Sequence, residues 1–193
     1  MKQFDYMEKW KKLLTPQIVS YLTTIHEYKG KQHLIAERHA DVLENLVEIA
    51  KIQSTESSNK IEGIYTSDER LKKIVLDKTM PKTRNEREIA GYRDVLNTIH
   101  ENFQHIPIRD TFILQLHRDL YKFENASYGG RFKTADNIIE EEDERGNKFV
   151  RFRPLPAWET PDAIINLCTA YNEAINKGEA DSLLLIPMFI IDF

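Results

Sequence analysis

The chain has 193 residues, of which 41% are hydrophobic and 30% charged, with a net charge of −4. That is enough apolar material for one domain of ordinary size, and the charge balance excludes a global drive toward nucleic acid or an anionic membrane surface. A single cysteine, Cys168, excludes an intrachain disulfide and points to a reducing, cytoplasmic setting. No apolar leader opens the chain, and the longest apolar run, Leu183–Ile191, is too short to span a bilayer. Seven glycines and seven prolines favour helix over turn-rich β structure.

Phe4, Tyr6, Met7, Trp10, Leu13 and Leu14 form an apolar cluster, either a short docking helix or an arm on the surface. Thr15-Pro16 reads as N-cap and first helical residue. The helix that follows carries Ile18, Val19, Leu22, Ile25 and Tyr28 and is expected to stop at Gly30. From Gln32 to Gly63 the pattern is helical again, as one helix or as two with a break near Ser54. Leu43, Leu46, Val47, Ala50, Ser54, Ser57, Ser58 and Ile61 share a face, aliphatic first and small afterwards. Small hydroxyl residues let another backbone come close and offer hydrogen bonds across to it. Glu62 falls at the last turn, with Gly63 as the C′ residue. A glutamate there meets the negative end of the helix dipole, so it is either solvated at a frayed end or held for a purpose.

Thr66-Ser67-Asp68-Glu69 and Thr83-Arg84-Asn85-Glu86 read as capping boxes, with Thr66 and Thr83 as N-caps. The first opens a helix with Leu71, Ile74 and Val75. The second opens one that buries Ile89, Tyr92, Val95, Leu96, Ile99 and Phe103. Arg109–Lys122 is helical, with Phe112, Ile113, Leu116 and Leu120 inward. His100 and His117 lack a partner at metal-ligand spacing and read as core or boundary histidines. After Tyr128-Gly129-Gly130, Arg131–Glu140 is extended, Glu140–Glu144 is an acidic and solvated run, and Phe149–Phe152 alternates apolar and basic. This predicts a β-hairpin inserted between helices, either one whose open edge accepts an extended segment from another protein or one with no binding role. Thr160-Pro161 reads again as N-cap and first helical residue, of a helix with Ile164, Ile165, Leu167, Cys168, Tyr171 and Ile175 that ends at Lys177-Gly178. Leu183–Phe193, capped by Asp181, is apolar on nearly every side and is expected to be a fully enclosed helix. It stops without a polar tail, so the expectation is a core helix cut in mid-course in a fragment, marginally stable or oligomeric.

Ser58-Asn59-Lys60-Ile61-Glu62-Gly63 resembles the inhibitory motif S/T-x-x-x-E-G/N of Fic-domain proteins. Leu116-His117-Arg118-Asp119-Leu120, Gly129-Gly130-Arg131-Phe132-Lys133-Thr134, the hairpin and Arg153-Pro154-Leu155-Pro156 resemble that family's flap region. Leu183–Phe193 is similar to the helix that runs into its catalytic motif, H-P-F-x-D/E-G-N-G/K-R-x-x-R. That motif is not in the chain. The resemblance implies a mainly α, Fic-like helical bundle with one β-hairpin flap. Residues 1–65 would be an N-terminal helical region carrying the inhibitory helix Ser58–Gly63. Residues 66–193 would be the N-terminal part of a Fic domain, with the flap at about 130–153.

The resemblance further implies a protein adenylyltransferase that moves AMP from ATP, with Mg²⁺, to a Ser, Thr or Tyr hydroxyl of a target protein. Glu62 would be the inhibitory carboxylate, taking the motif arginine that otherwise holds the ATP γ-phosphate. Ser58 would help fix its helix, and Gly63 would end it. Asn137, Ile138, Ile139 and Glu140 would belong to the flap over nucleotide and target. No catalytic residue or metal ligand is assigned within the chain, and residues 1–193 alone are expected to be inactive. A homo-oligomer is a possible partner state, no membrane is expected, and nucleic acid would bind only through a domain beyond these residues. The alternative is a non-enzymatic, antitoxin-like module that inserts the Ser58–Gly63 helix into a partner's active site.

Overall fold

The computed structural model describes residues 4–36, 40–124 and 126–193. Helix predominates, as α1 (Pro16–Ala36), α2 (Ala40–Ile61), α3 (Asp68–Val75), α4 (Arg84–Asn102), α5 (Asp110–Leu120), α6 (Thr160–Lys177) and α7 (Ser182–Asp192). One antiparallel hairpin, β1 (Ile139–Glu142) and β2 (Lys148–Phe152), lies between α5 and α6. The mainly α class with a single hairpin is therefore as expected. The chain forms two units: Leu13–Pro107 with Gln115–Gly130, and Met1–Lys12 with Ile108–Leu114 and Arg131–Phe193.

In the first of these units, Thr15 caps α1 by accepting the Ile18 N–H at 3.2 Å. The helix does not stop at Gly30. It runs on to Ala36, since a glycine inside a helix costs only about 1 kcal/mol. Nor does α2 break near Ser54: it is continuous from Ala40 to Ile61, and the point where α1 gives way to α2 lies outside the described residues. The aliphatic start of α2 is not packed as its periodicity suggested. Leu46 and Val47 are exposed, as are Val19, Tyr21, Ile25 and Tyr28 of α1. Periodicity marks a face but supplies no partner for it. Burial on α2 sets in later, at Thr55 and Asn59.

The core of this unit is Leu71, Ile74 and Val75 of α3 against Ile89 and Ala90 of α4, with Ile52, Ile64 and Phe123 packed around them. The first capping box is shifted by one residue: Ser67, not Thr66, accepts the Arg70 N–H, and Thr66 lies 3.5 Å from Glu86 instead. The second forms as expected, with Thr83 accepting the Glu86 N–H at 3.2 Å. The far end of α4 departs from expectation: Ile99 is exposed, and Phe103, just past the helix in a short 3-10 turn, is exposed too. His117 is a boundary residue whose Nδ1 accepts the Gly130 N–H at 3.2 Å.

In the other unit, α6 and α7 pack on the N-terminal segment around buried Tyr6, Leu167, Ala174 and Leu185. Of the early apolar cluster, Phe4, Tyr6 and Met7 are thus docked, Lys9–Leu13 forms a short 3-10 helix, and Leu13 and Leu14 are exposed. Glu159 rather than Thr160 occupies the N-cap of α6, and Asp181 caps α7. Helix α7 is not fully enclosed. Leu184 and Leu185 are buried, while Ile186, Ile190, Ile191 and Phe193 are exposed. The Tyr6 hydroxyl lies 3.0 Å from Asp192 Oδ2 and 3.2 Å from the Met188 carbonyl. Burial, then the Asp192 carboxylate, pushes its phenol far up, so it stays a neutral donor. Tyr6→Phe keeps the ring contacts and removes this tie, and is expected to cost about 1 kcal/mol in urea unfolding, against about 4 kcal/mol for Tyr6→Ala.

The hairpin pairs Glu140 with Val150, Glu141 with Phe149 and Glu142 with Lys148, with a bulge between Ile139 and Glu140. Part of the acidic run, Glu140–Glu142, forms strand β1 of the expected hairpin. It remains solvated, since every residue of both strands is exposed. Arg151 of β2 answers it with an ion pair to Glu141 at 2.9 Å. Asp143 closes the turn by accepting the Arg145 and Asn147 N–H groups, and Gly146 takes the positive φ that the turn needs.

Candidate functional site

The end of α2 is a Schellman cap. The Ile64 N–H donates to the Asn59 carbonyl at 2.9 Å and the Gly63 N–H to the Lys60 carbonyl at 3.0 Å. Gly63 sits at φ +73°, the left-handed geometry that this cap requires and that glycine adopts without strain. The helix ends at Ile61, so Glu62 is its C-cap residue, one position later than the last turn assigned from sequence. Asn59, which receives the cap, is itself buried and donates its Nδ2 to the Thr55 carbonyl at 2.7 Å.

The small face that begins at Ser54 meets α4. The Tyr92 phenol donates to Ser58 Oγ at 2.8 Å and lies 3.5 Å from Ser54 Oγ. Beside this contact opens a groove of about 570 Å³. Ser58, Asn59, Glu62 and Ile64 form the α2 side; Glu88 and Tyr92 come from α4, and Leu120 and Tyr121 from the end of α5. Its ionisable lining consists of two carboxylates and two phenols. Burial is the main cause that raises the Tyr121 phenol, and Tyr128, Glu88, Glu124 and Glu62 add to it in that order. Glu88 is partnered by Arg84 at 3.0 Å, and Lys60, the cation of the last turn, pairs with Glu56. Among the described residues no cation pairs with Glu62. Glu62 is an exposed residue at the rim of this groove.

Ser58 and Glu62 thus line one groove, with Gly63 in the turn between them and Ile64. The flap residues lie in the other unit. Asn137 accepts Lys133 Nζ at 2.8 Å, Ile138 is exposed, and Ile139 and Glu140 open β1. Lys133 also reaches the Leu155 carbonyl at 2.5 Å, joining the two ends of the hairpin insertion. Sequence reasoning missed Glu88, Tyr121 and Gly91 and took Tyr92 for simple core. Gly91 left a signal, since a glycine inside a helical pattern points to close approach of another backbone. The others left none, because residues from three helices meet only in the fold.

No family model and no curated protein matches the chain. Among solved structures it is similar to a Fic domain-containing signaling protein from Bacteroides thetaiotaomicron VPI-5482. The TM-score is 0.60 at 20% identity, over 76% of this chain and 55% of that one. The chain therefore has a Fic-like fold and spans about 55% of the length of the protein it matches. No described helix is long and apolar enough to cross a membrane.

Proposed function

We propose that this chain is the regulatory and target-docking part of a Fic-type protein adenylyltransferase, held inactive by Glu62. The observation that carries the proposal is the position of Glu62: its backbone is held by a Schellman cap, it is exposed at the rim of a groove, and among the described residues it is paired with no cation. The Fic-like fold supports the family to which that geometry is referred. In this proposal Glu62 takes the arginine that would otherwise neutralise the ATP γ-phosphate, and its charge repels the triphosphate. Transfer of a phosphoryl-type group depends on such positioning and charge neutralisation, so removing one cation is an effective block.

The residues described do not themselves fit ATP and Mg²⁺. No group of three His, Cys, Asp or Glu side chains among them is placed to hold a metal ion, and the groove carries the wrong charge for a polyphosphate. The proposal therefore assigns nucleotide and metal to residues other than these. The hairpin is assigned to the target protein. Its strands are exposed along their whole length, and an open edge next to Ile138 and Ile139 can pair with an extended segment that carries the acceptor hydroxyl.

The test is ATP-dependent self-labelling by a polypeptide that joins this chain to the transfer motif. Glu62→Gly is expected to raise labelling at least about tenfold, equivalent to roughly 1.4 kcal/mol. No gain overturns the proposal. An equal loss of labelling on adding the separate 193-residue chain to an uninhibited transferase would instead favour the antitoxin-like alternative.

A further inference from the structure

We propose that Tyr92 is a positioning residue for the Glu62 turn: its phenol latches the hydroxyl face of α2 to α4 and so sets the direction in which Glu62 enters the groove. The physiological weight of this latch rests on the regulatory role proposed for Glu62, but the latch itself is a matter of geometry. Among the described residues of the N-terminal half of α2, the apolar Val42, Leu46, Val47 and Ile49 are exposed. The C-terminal half is packed: Ile52 and buried Thr55 and Asn59 lie inward, and the two serines face Tyr92. The phenol has one proton, donated to Ser58, and lone pairs toward Ser54, so a single group ties successive turns of α2.

Tyr92 stands on a rigid platform. Its neighbour Arg93 is buried and donates Nη1 to the Ile74 carbonyl at 2.7 Å, and Gly91 is pressed against the Leu120 carbonyl. On the α2 side, Ser58 is followed at once by Asn59 and Lys60, whose carbonyls receive the Ile64 and Gly63 N–H groups. The cap that carries Glu62 thus hangs from the turn that Tyr92 holds. Letting that turn move spreads the orientations of Glu62, whereas a held turn presents one.

The experiment is amide hydrogen exchange by NMR on the full chain, comparing Tyr92→Phe, Ser58→Ala, Ser58→Thr and the Tyr92→Phe/Ser58→Ala pair. Tyr92→Phe and Ser58→Ala are each expected to speed exchange of the Gly63 and Ile64 amides about fivefold while leaving the Ile89 and Ala90 amides unchanged. The pair should add nothing to either single change, and Ser58→Thr, which keeps the hydroxyl, should retain protection. Unchanged exchange at Gly63 and Ile64, uniform acceleration through α3 and α4, or additive effects would each overturn the latch. The serine variants decide the matter if Tyr92→Phe folds poorly. Because exchange is read without any transfer reaction, a failed Glu62→Gly labelling test and a failed latch are separate outcomes.

Discussion

Gly91→Ala is expected to destabilise the chain by about 3 kcal/mol or more, although alanine is the better helix former. In an open helix the change would gain about 1 kcal/mol. Here a Cβ built on Gly91 stands 1.8 Å from the Leu120 carbonyl oxygen and 2.8 Å from its carbon. Those are backbone atoms at the end of α5, so they cannot swing aside as a side-chain tip does. One helix must move, and overpacking of a formed core costs more than the propensity returns. The movement would also reshape the groove, because Leu120 and Tyr121 form one wall and Tyr92, next to Gly91, forms another. Urea unfolding followed by far-UV circular dichroism measures the loss. A neutral or stabilising result would mean that α4 and α5 do not approach as described.

The second large effect belongs to Glu86. Its side chain is 6% exposed and receives Arg70 through two bonds, Nε at 2.9 Å and Nη2 at 2.7 Å, together with the Lys82 N–H at 2.6 Å. Arg70 also donates to the Met80 carbonyl, so one carboxylate joins α3, the segment leading out of it and the start of α4. The exposed pairs elsewhere, such as Lys73–Glu69 and Lys31–Glu27, make no such junction and contribute little. Glu86→Gln is expected to cost roughly 2–3 kcal/mol at neutral pH, the range for charged hydrogen bonds in a buried setting.

The pH dependence has a definite sign. The Arg70 hydrogen bonds, helped by the Lys82 N–H and opposed by burial, lower the Glu86 carboxyl to about 2 from an ordinary value of 4.5. Its contribution is therefore complete above about pH 4.5 and is lost as the pH falls toward 2. Wild type and Glu86→Gln should differ most at neutral pH and converge in acid. Urea titrations at a series of pH values check this, and a constant gap down to the acid end would contradict it.

The helices, the single hairpin and most caps were legible because their signals are local. Pro16, Thr83 and Gly178 act on backbone groups within a turn of themselves, and the Asn59–Ile64 cap needs only Gly63 and its own helix end. The misreadings share a cause as well. Gly30 weakens a helix without ending it. Leu46, Val47, Ile99 and Ile190 lie on apolar stripes, yet a stripe does not say what, if anything, will cover it. Thr66 lost the N-cap of α3 to Ser67, an adjacent residue with the same capping chemistry, and stands instead within 3.5 Å of Glu86, twenty residues away.

By itself the sequence determined that Glu62 would follow a helix and precede a glycine turn, because hydrogen bonds within a few residues set that geometry. Only the tertiary structure decided what Glu62 faces. Tyr92, Glu88 and Tyr121 reach the groove from α4 and α5 because Gly91 lets those helices touch, and the Ser58 hydroxyl finds its partner across that junction. Such contacts depend on the close packing of distant segments, which no local pattern of residues encodes.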